Sequence, residues 1–212
     1  MNSDTIDILY LDDDLLIANK PSGLLTVPGK GPENQDCLHK RALGVNPNAR
    51  IVHRLDQATS GIVMFPLNYP CLKQLTHQFE ARDIHKRYIA VVNGLVDADE
   101  GEVQLPLICD WPNRPKQKVC YEQGKSAHTR YQVLERDTHN NQSRMQLEPV
   151  SGRTHQLRVH MLSLGHPILG DRLYAPDDVI ARSPRLLLHA QTLWLTHPIS
   201  RNPLHIDCPV TF

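Results

Sequence analysis

The chain has 212 residues, of which 40% are hydrophobic and 22% are charged, and its 23 Lys and Arg residues balance 23 Asp and Glu residues. This composition is typical of a soluble globular protein long enough to bury a core. No apolar run approaches the roughly 20 residues of a membrane span, and the N-terminus lacks the features of a secretory signal, so we expect a cytoplasmic protein without membrane contact. The five cysteines show no C-x-x-C spacing and no H-E-x-x-H occurs. We therefore expect reduced thiols and no metal site.

Charge is unevenly distributed along this neutral chain. Residues 1–14 carry five Asp and no Lys or Arg, whereas residues 113–131 carry five Lys or Arg against one Glu. Segregated charge can build a basic face that meets phosphates even when the net charge is zero. The alternative interpretation of the second segment is a solvated loop with scattered lysines.

Hydrophobic periodicity and turn residues predict many short strands and few helices. A helix is expected at 37–43, where Asp36 is a possible cap, another in the residues that follow Pro70, and a third from 151–154 to about Leu164. Without βαβ alternation, the pattern indicates one α+β domain with a mainly antiparallel, bipartite sheet, short flanking helices and a cleft. Strands are predicted as a pair within 6–17 and at 51–54, 61–66, 86–92, 102–107, 127–135, 144–149, 186–196 and 206–211.

The stretch from Ile51 to Met64 is the first place to look for chemistry. Two β-branched residues run into His53, Arg54 and Asp56, and a polar turn closed by Gly61 leads to a second β-branched run. The pattern places a carboxylate at the mouth of a predicted strand–turn–strand unit, where charge is costly unless it is paired or used. From the pattern alone, Asp56 is as well suited to capping the turn as to catalysis.

Two distant residues extend this hypothesis. Arg158 follows Arg153 by five positions at the start of a predicted helix, and a guanidinium beside a carboxylate favours its ionised form. Tyr88 begins a predicted strand and offers a flat face for stacking and a hydroxyl that can handle a proton. Each also has an ordinary interpretation, Arg158 as a surface helix residue and Tyr88 as a packed strand residue.

Six segments, in order along the chain, resemble the motifs of the RluA family of pseudouridine synthases. Residues 105–119 are similar more specifically to the dual-specificity branch of that family, which modifies a 23S rRNA loop and a tRNA anticodon loop. Only about eighteen residues precede the first motif, so the expectation is a single catalytic domain, 1–212, without an S4 RNA-binding domain. The six segments are Asn19–Leu24, His53–Gly61, Lys86–Ala90, Gly152–Arg158, Gly165–Asp171 and Arg185–Ala190.

The resemblance implies an isomerase that converts specific loop uridines to pseudouridine within an RNA-binding cleft. Asp56 maps to the essential catalytic aspartate, which attacks the sugar as a nucleophile or removes the C2′ proton; the sequence does not choose between these. Tyr88 would stack on the uracil near C5, and Arg158 would be the ionic partner of Asp56. The reaction involves no redox change and no energy input, so no cofactor is implied.

The same resemblance implies how RNA is bound. Arg54 would enter the RNA stack in place of a flipped uridine, a rearrangement that costs less in a loop than in a duplex. Leu187 would pack on the other side of the base. Independently of the resemblance, the spacing of Arg153 and Arg158 lets one face a carboxylate and the other phosphate, so Arg153 is a further substrate-binding candidate. The expected partners are rRNA and tRNA stem-loops, and a monomer is expected. Candidates for phosphate contacts are Arg114, Lys116 and Lys118.

Other classes of function fit less well. A non-catalytic RNA-binding or ribosome-assembly factor with the same fold is the main alternative, and the joint presence of Asp56, Tyr88 and Arg158 argues against it. A kinase would need a Gly-rich phosphate loop and a D-F-G motif, and both are missing from the sequence. A retaining glycosidase would need a second carboxylate with a comparable context.

Overall fold

The computed structural model describes residues 5–212, which form two compact units. The first unit contains the chain up to Lys86 together with Ala190–Thr211, and the second contains Arg87–His189 together with Phe212. Strands and helices are numbered in chain order below. Asp4, one of the five acidic residues of the N-terminal segment, lies outside the described residues.

The first unit is built on a sheet that two helices accompany, in which the first three strands pair antiparallel with one another in sequence and the last two pair antiparallel with each other. Its strands lie in the order β1–β2–β3–β10–β11, and the register of β2 on β3 pairs Ile17 with Met64. These two side chains belong to the apolar core of the unit, which also includes Leu75 of the second helix. The elements are β1 (Asp7–Leu11), β2 (Leu15–Lys20), α1 (Leu38–Val45), β3 (Ser60–Pro66), α2 (Tyr69–Ala81), β10 (Leu188–Thr196) and β11 (Pro203–Asp207).

The second unit has its own run of strands, in the order β4–β9–β8–β5, with antiparallel pairing of β4 with β9, β9 with β8 and β8 with β5. A separate two-stranded hairpin is formed by β6 and β7. The elements are β4 (His85–Asn93), β5 (Glu100–Gln104), β6 (Leu107–Cys109), β7 (Gln117–Val119), β8 (His128–Asp137), β9 (Gln142–Pro149), α3 (Gln156–Ser163) and α4 (Asp177–Ile180).

The predicted α+β class with mainly antiparallel strands is confirmed. The helix expected after Pro70 begins at Tyr69, because the Asn68 side chain accepts a hydrogen bond from the Cys71 N–H and caps the first turn. Asp36 does not cap α1: the Cys37 sulfur takes that position, and Asp36 forms an ion pair with Arg41 instead.

The strand predicted at 51–54 is wrong. This segment has no ladder partner, and its backbone continues into a loop that is held by side chains. The Leu55 N–H donates to the Thr26 hydroxyl, which in turn donates to the Leu55 carbonyl. β-Branched residues favour extended backbone, but here side-chain hydrogen bonds replace a neighbouring strand.

Within residues 5–212, no helix combines the length and the apolar character needed to cross a bilayer.

Candidate active site

The Asp56 loop, residues 53–59, is held by the loop that follows β2. Besides the double contact between Thr26 and Leu55, the Ser22 hydroxyl donates to the Ala58 carbonyl at 2.7 Å and the Gly23 N–H donates to the Gln57 carbonyl at 2.9 Å. Asp56 itself is half-buried, and its carbonyl accepts the Thr59 N–H at 3.1 Å. The Asp56 loop therefore has a defined backbone that does not depend on β-pairing.

A buried lysine lies beneath this loop. Lys20 is 0% exposed, and its Nζ donates to the carbonyls of Pro21, Leu24 and Gln57 at 2.9, 2.7 and 3.0 Å. Burial lowers the pKa of Lys20 to about 7, while the negative charge of Asp56 opposes that shift. Three carbonyl acceptors match the three N–H donors that only the ammonium has, so the geometry favours a cation near Asp56.

His53 fixes the other end of the Asp56 loop. Its Nε2 accepts a hydrogen bond from the Met64 N–H at 2.9 Å, and its ring packs on Phe79 with centroids 5.3 Å apart. Burial, with a smaller contribution from the charge of Lys86, lowers the pKa of His53 to about 3. His53 is therefore a neutral, structural hydrogen-bond acceptor rather than a proton-transfer group at neutral pH.

Gly61 shows why this motif needs a glycine where β3 begins. Its φ is +111°, and a Cβ there would lie 2.2 Å from the backbone oxygen of Ala190 on β10. An L-side chain would be strained by the dihedral and would also clash with backbone that cannot move aside. Gly61 thus allows close approach of β10 directly after the Asp56 loop.

Arg54 is exposed, in contrast to its neighbours His53 and Leu55. Its guanidinium is presented to solvent by a loop whose backbone is fixed on either side. An exposed cation on a rigid loop suits the expected insertion into RNA, and that role remains a prediction.

In the second unit, Tyr88 lies on β4 opposite Leu147 of β9 and is half-buried. The neighbouring Arg87 approaches Glu148 with a 3.7 Å separation between Nε and Oε1. The β-ladder sets the backbone of Tyr88, so its ring is carried by a regular strand rather than by a loop.

Arg158, on α3, forms a buried bidentate ion pair. Its Nε lies 2.8 Å from Oδ2 of Asp171 and its second terminal nitrogen lies 2.6 Å from Oδ1, with side-chain exposures of 4% and 1%. The guanidinium also lies over the Tyr174 ring, 5.0 Å from its centroid. Fork-to-carboxylate geometry and a flat ring fix the guanidinium plane. The alternative of a surface helix arginine is wrong.

Tyr174 connects this pair to the β6–β7 hairpin. Its hydroxyl oxygen accepts the Gln117 N–H of β7 at 2.8 Å and lies 2.6 Å from Nδ1 of His155. His155 precedes α3 in the left-handed region, with φ at 54°. A non-glycine residue in that region is held there by its surroundings, here by the contact with Tyr174.

The remaining substrate-binding candidates lie in different environments of the second unit. Leu187 is half-buried and packs on a small cluster of Val91, Leu169 and Val179. Arg153 is exposed, and its Nε donates to the Ser126 carbonyl at 3.1 Å.

The three basic candidates of the hairpin are all exposed. The Arg114 guanidinium lies over the Trp111 ring at 4.1 Å from its centroid, and Lys118 forms an ion pair of 3.2 Å with Asp110. A hydrogen bond from Asn113, together with Lys118, lowers the pKa of Asp110. The positive charge of Lys118 is thus partly offset by the negative charge of Asp110, whereas Arg114 and Lys116 add positive charge to the surface.

Sequence reasoning did not single out Lys20, Asp171 or Tyr174 individually. Lys20 and Asp171 lie within segments that carry the family resemblance, and Tyr174 lies three residues after Asp171. A lysine at a strand end is normally expected to be solvated. The burial of Lys20 depends on three carbonyls supplied by two separate loops, and the sequence does not show that these loops meet.

Comparisons with known proteins agree with this fold. Residues 14–163 match the model of the RNA pseudouridylate synthase family. The chain is 53% identical over 205 residues to the dual-specificity RNA pseudouridine synthase RluA of Yersinia pestis, covering 97% of this chain and 99% of that protein. It is 52% identical to the protein of the same name from Escherichia coli K12, covering 97% and 93%.

Solved structures show the same relationship. Human RNA pseudouridylate synthase domain containing 1 superimposes with a TM-score of 0.84 at 27% identity, covering 100% of this chain and 86% of that one. Human RNA pseudouridylate synthase domain containing 4 gives a TM-score of 0.76 at 25% identity, with 96% and 88% covered. The chain belongs to the RNA pseudouridylate synthase family, and its enzyme class is that of an isomerase.

Proposed function

We propose that this enzyme isomerises uridines in two kinds of RNA, a 23S rRNA loop and a tRNA anticodon loop. The observation that carries the proposal is the near full-length identity, above 50%, to relatives named as dual-specificity RNA pseudouridine synthases. We further propose that it acts as a monomer in the cytoplasm, with 1–212 as one catalytic domain.

Asp56 is the proposed catalytic carboxylate. It either attacks C1′ as the N1–C1′ bond breaks, or removes the C2′ proton to give a glycal and later returns it. In both routes the freed uracil turns and C5 bonds to C1′, which in the first route breaks the bond between C1′ and Asp56 and releases the carboxylate. The proton on C5 is then lost and N1 gains one. The rigid Asp56 loop and the ammonium of Lys20 support this role, because the loop holds the carboxylate in place and the ammonium puts a positive charge near it.

Tyr88 and Arg158 are the other proposed catalytic residues. The Tyr88 ring would stack on the uracil close to the C5 proton, and Arg158 would supply positive charge to Asp56. The bidentate pair with Asp171 supports a fixed guanidinium orientation, which suits a group that must offer charge in one direction. Leu187 would pack against the base.

Arg54 would replace the flipped uridine in the RNA stack, and the remaining cations would contact phosphates. The exposure of Arg54 and of the hairpin cations Arg114 and Lys116 supports this division, because cations that meet RNA must remain on the surface.

The direct test uses purified enzyme with two RNA stem-loops, one from the 23S rRNA loop and one from the anticodon loop. We expect pseudouridine, detected by carbodiimide labelling and primer extension, in both RNAs. Asp56→Asn should lower the rate by at least about a thousandfold in both, because the amide can neither attack nor take a proton.

Asp83→Asn, which changes an exposed aspartate in the same unit, is the matched control and should retain full activity. Activity of Asp56→Asn at the control rate would refute the catalytic assignment. Modification of only one RNA would refute dual specificity while leaving the chemistry intact.

A further inference from the structure

The tip of the β6–β7 hairpin exposes an aromatic ring that the proposed chemistry does not use. Trp111 is 63% exposed, although tryptophan has the largest side chain to bury. Tyr121, just beyond β7, is 78% exposed. Large aromatic rings left in water beside cations are typical of surfaces that bind another molecule.

The hairpin tip is closed by its own hydrogen bonds. Asp110 donates its N–H to the Lys116 carbonyl at 2.9 Å, and Lys116 donates to the Asn113 carbonyl at 3.0 Å. The Asn113 side chain donates to the Asp110 carboxylate at 2.8 Å. Trp111 therefore stands on a short turn with a fixed backbone, and little conformational entropy is lost if a ligand covers it.

The base of the hairpin is equally well attached. Leu107 and Lys125 exchange two backbone hydrogen bonds of 3.0 and 2.8 Å, and Leu107 packs with Ala127 and Val159. The contact between the Gln117 N–H and Tyr174 adds a tie from β7. Trp111 is therefore exposed on a hairpin that is anchored at its base, and not on a loose loop.

Charge around Trp111 selects the kind of ligand. Residues 105–125 contain four Lys or Arg and two Asp or Glu. The Arg114 guanidinium lies over the Trp111 ring, 4.1 Å from its centroid, which shows that the ring face is accessible to a cationic group, and Lys116 is exposed nearby in the turn. A flat ring flanked by cations matches a nucleotide, whose base stacks while its phosphate is neutralised.

We propose that Trp111 and Arg114 form a stacking site for an unpaired base of the RNA substrate, with Lys116 contacting the adjacent phosphate. This inference rests on the proposed function for its ligand. It adds a sequence-tolerant contact, because every base offers a π-face. Such a contact strengthens binding to loops, where bases are unpaired, over binding to duplexes.

The test uses tryptophan fluorescence, since Trp111 and Trp194 are the two tryptophans of the chain. In a Trp194→Phe variant, Trp111 is the sole reporter. Titration with the anticodon stem-loop should quench its emission over the concentration range in which labelled RNA shows binding by anisotropy. The converse variant, Trp111→Phe, reports from Trp194, which stacks on His205 in the first unit, and should show a much smaller change.

Kinetics provide the second measurement. Trp111→Ala should raise KM by about 5- to 150-fold, the range of one lost base stack, with kcat nearly unchanged. Trp111→Phe should retain most of the affinity. Tyr69→Ala is the matched control, because Tyr69 is 66% exposed on α2 and should be dispensable.

The outcomes separate this proposal from the proposed function. Unquenched Trp111 in a complex that anisotropy detects, or a KM for Trp111→Ala equal to that of Tyr69→Ala, would overturn the stacking site and leave the enzyme assignment standing. Failure of the enzyme to bind either RNA would overturn both.

Discussion

Arg158 and Lys118 are both cations that pair with an aspartate in the second unit, at distances of 2.6 and 3.2 Å. The Arg158–Asp171 pair is 4% and 1% exposed, whereas Lys118 is 55% exposed and its partner Asp110 is 17% exposed. The buried pair has two parallel contacts and an aromatic ring over the guanidinium. The second pair is joined by one contact of 3.2 Å, and its lysine is largely exposed to solvent.

The difference separates charged groups whose orientation the fold fixes from charged groups that we propose contact RNA. A buried charge is costly to leave unpaired, so its partner and orientation are fixed by the fold. An exposed charge can leave its partner for a phosphate at little cost. The same contrast occurs in the first unit, where Lys20 is enclosed by three carbonyls while Arg54 is exposed.

The largest expected effect comes from breaking the buried pair. Asp171→Ala leaves the Arg158 guanidinium buried without its carboxylate and should lower the free energy of unfolding by about 3–5 kcal/mol. Urea unfolding followed by circular dichroism measures this change. The control Lys118→Met removes a cation from an exposed pair and should leave unfolding nearly unchanged. Equal losses in the two variants would contradict the distinction between the pairs.

A smaller effect is expected from His53, which is half-buried and neutral in the folded chain. Its folded-state pKa of about 3 lies below the ordinary value of 6.5, so the unfolded chain takes up a proton as pH falls below 6.5 while the folded chain does not. This difference makes the folded state less stable as pH falls, by at most about 1.4 kcal/mol per pH unit.

His53→Gln should keep an acceptor for the Met64 N–H and remove the side chain that takes up a proton in the unfolded chain. Urea unfolding between pH 6.5 and pH 4.5 should therefore show a shallower decline for this variant than for the unaltered chain. His139→Gln changes an exposed histidine and is the matched control, with the unaltered pH dependence. A decline as steep for His53→Gln as for the control would show that His53 is not the group responsible.

Local patterns were enough to predict most of the strands and the α2 helix, because alternation and capping residues act over short distances. They failed at 51–54, where side chains take the place of a neighbouring strand: the His53 ring accepts the Met64 N–H, and the Thr26 hydroxyl accepts the N–H of the following Leu55. The hairpin strands β6 and β7 were not separated from the irregular chain around them, because three-residue strands carry too little periodicity.

The candidate site shows the same limit. Residue type and order selected Asp56, Tyr88 and Arg158, and the motifs gave them expected roles. Burial of Lys20 and the pairing of Arg158 with Asp171 depend on contacts between segments that no local pattern encodes. The role of each catalytic candidate remains a prediction that the experiments above address.

The smallest expected effect concerns the hairpin cations. The triple variant Arg114→Gln, Lys116→Gln, Lys118→Gln should bind RNA with a weaker salt dependence, since each lost phosphate contact reduces the slope of log affinity against log salt by about 0.7 for single strands. Lys118 should contribute least because it already pairs with Asp110. Anisotropy titrations of labelled stem-loop RNA from low to moderate salt measure the slope.

The control triple variant Lys30→Gln, Arg50→Gln, Arg201→Gln removes the same charge from exposed positions in the first unit. Net charge alone would weaken the two triple variants equally. Direct contact with phosphates would reduce the slope only in the hairpin variant. The single variants Lys116→Gln and Lys118→Gln separate the contributions of the two lysines. A larger effect on the slope for Lys118→Gln than for Lys116→Gln would show that the pair with Asp110 does not restrain Lys118. An unchanged slope in the hairpin variant would remove all three cations from the RNA-contacting surface.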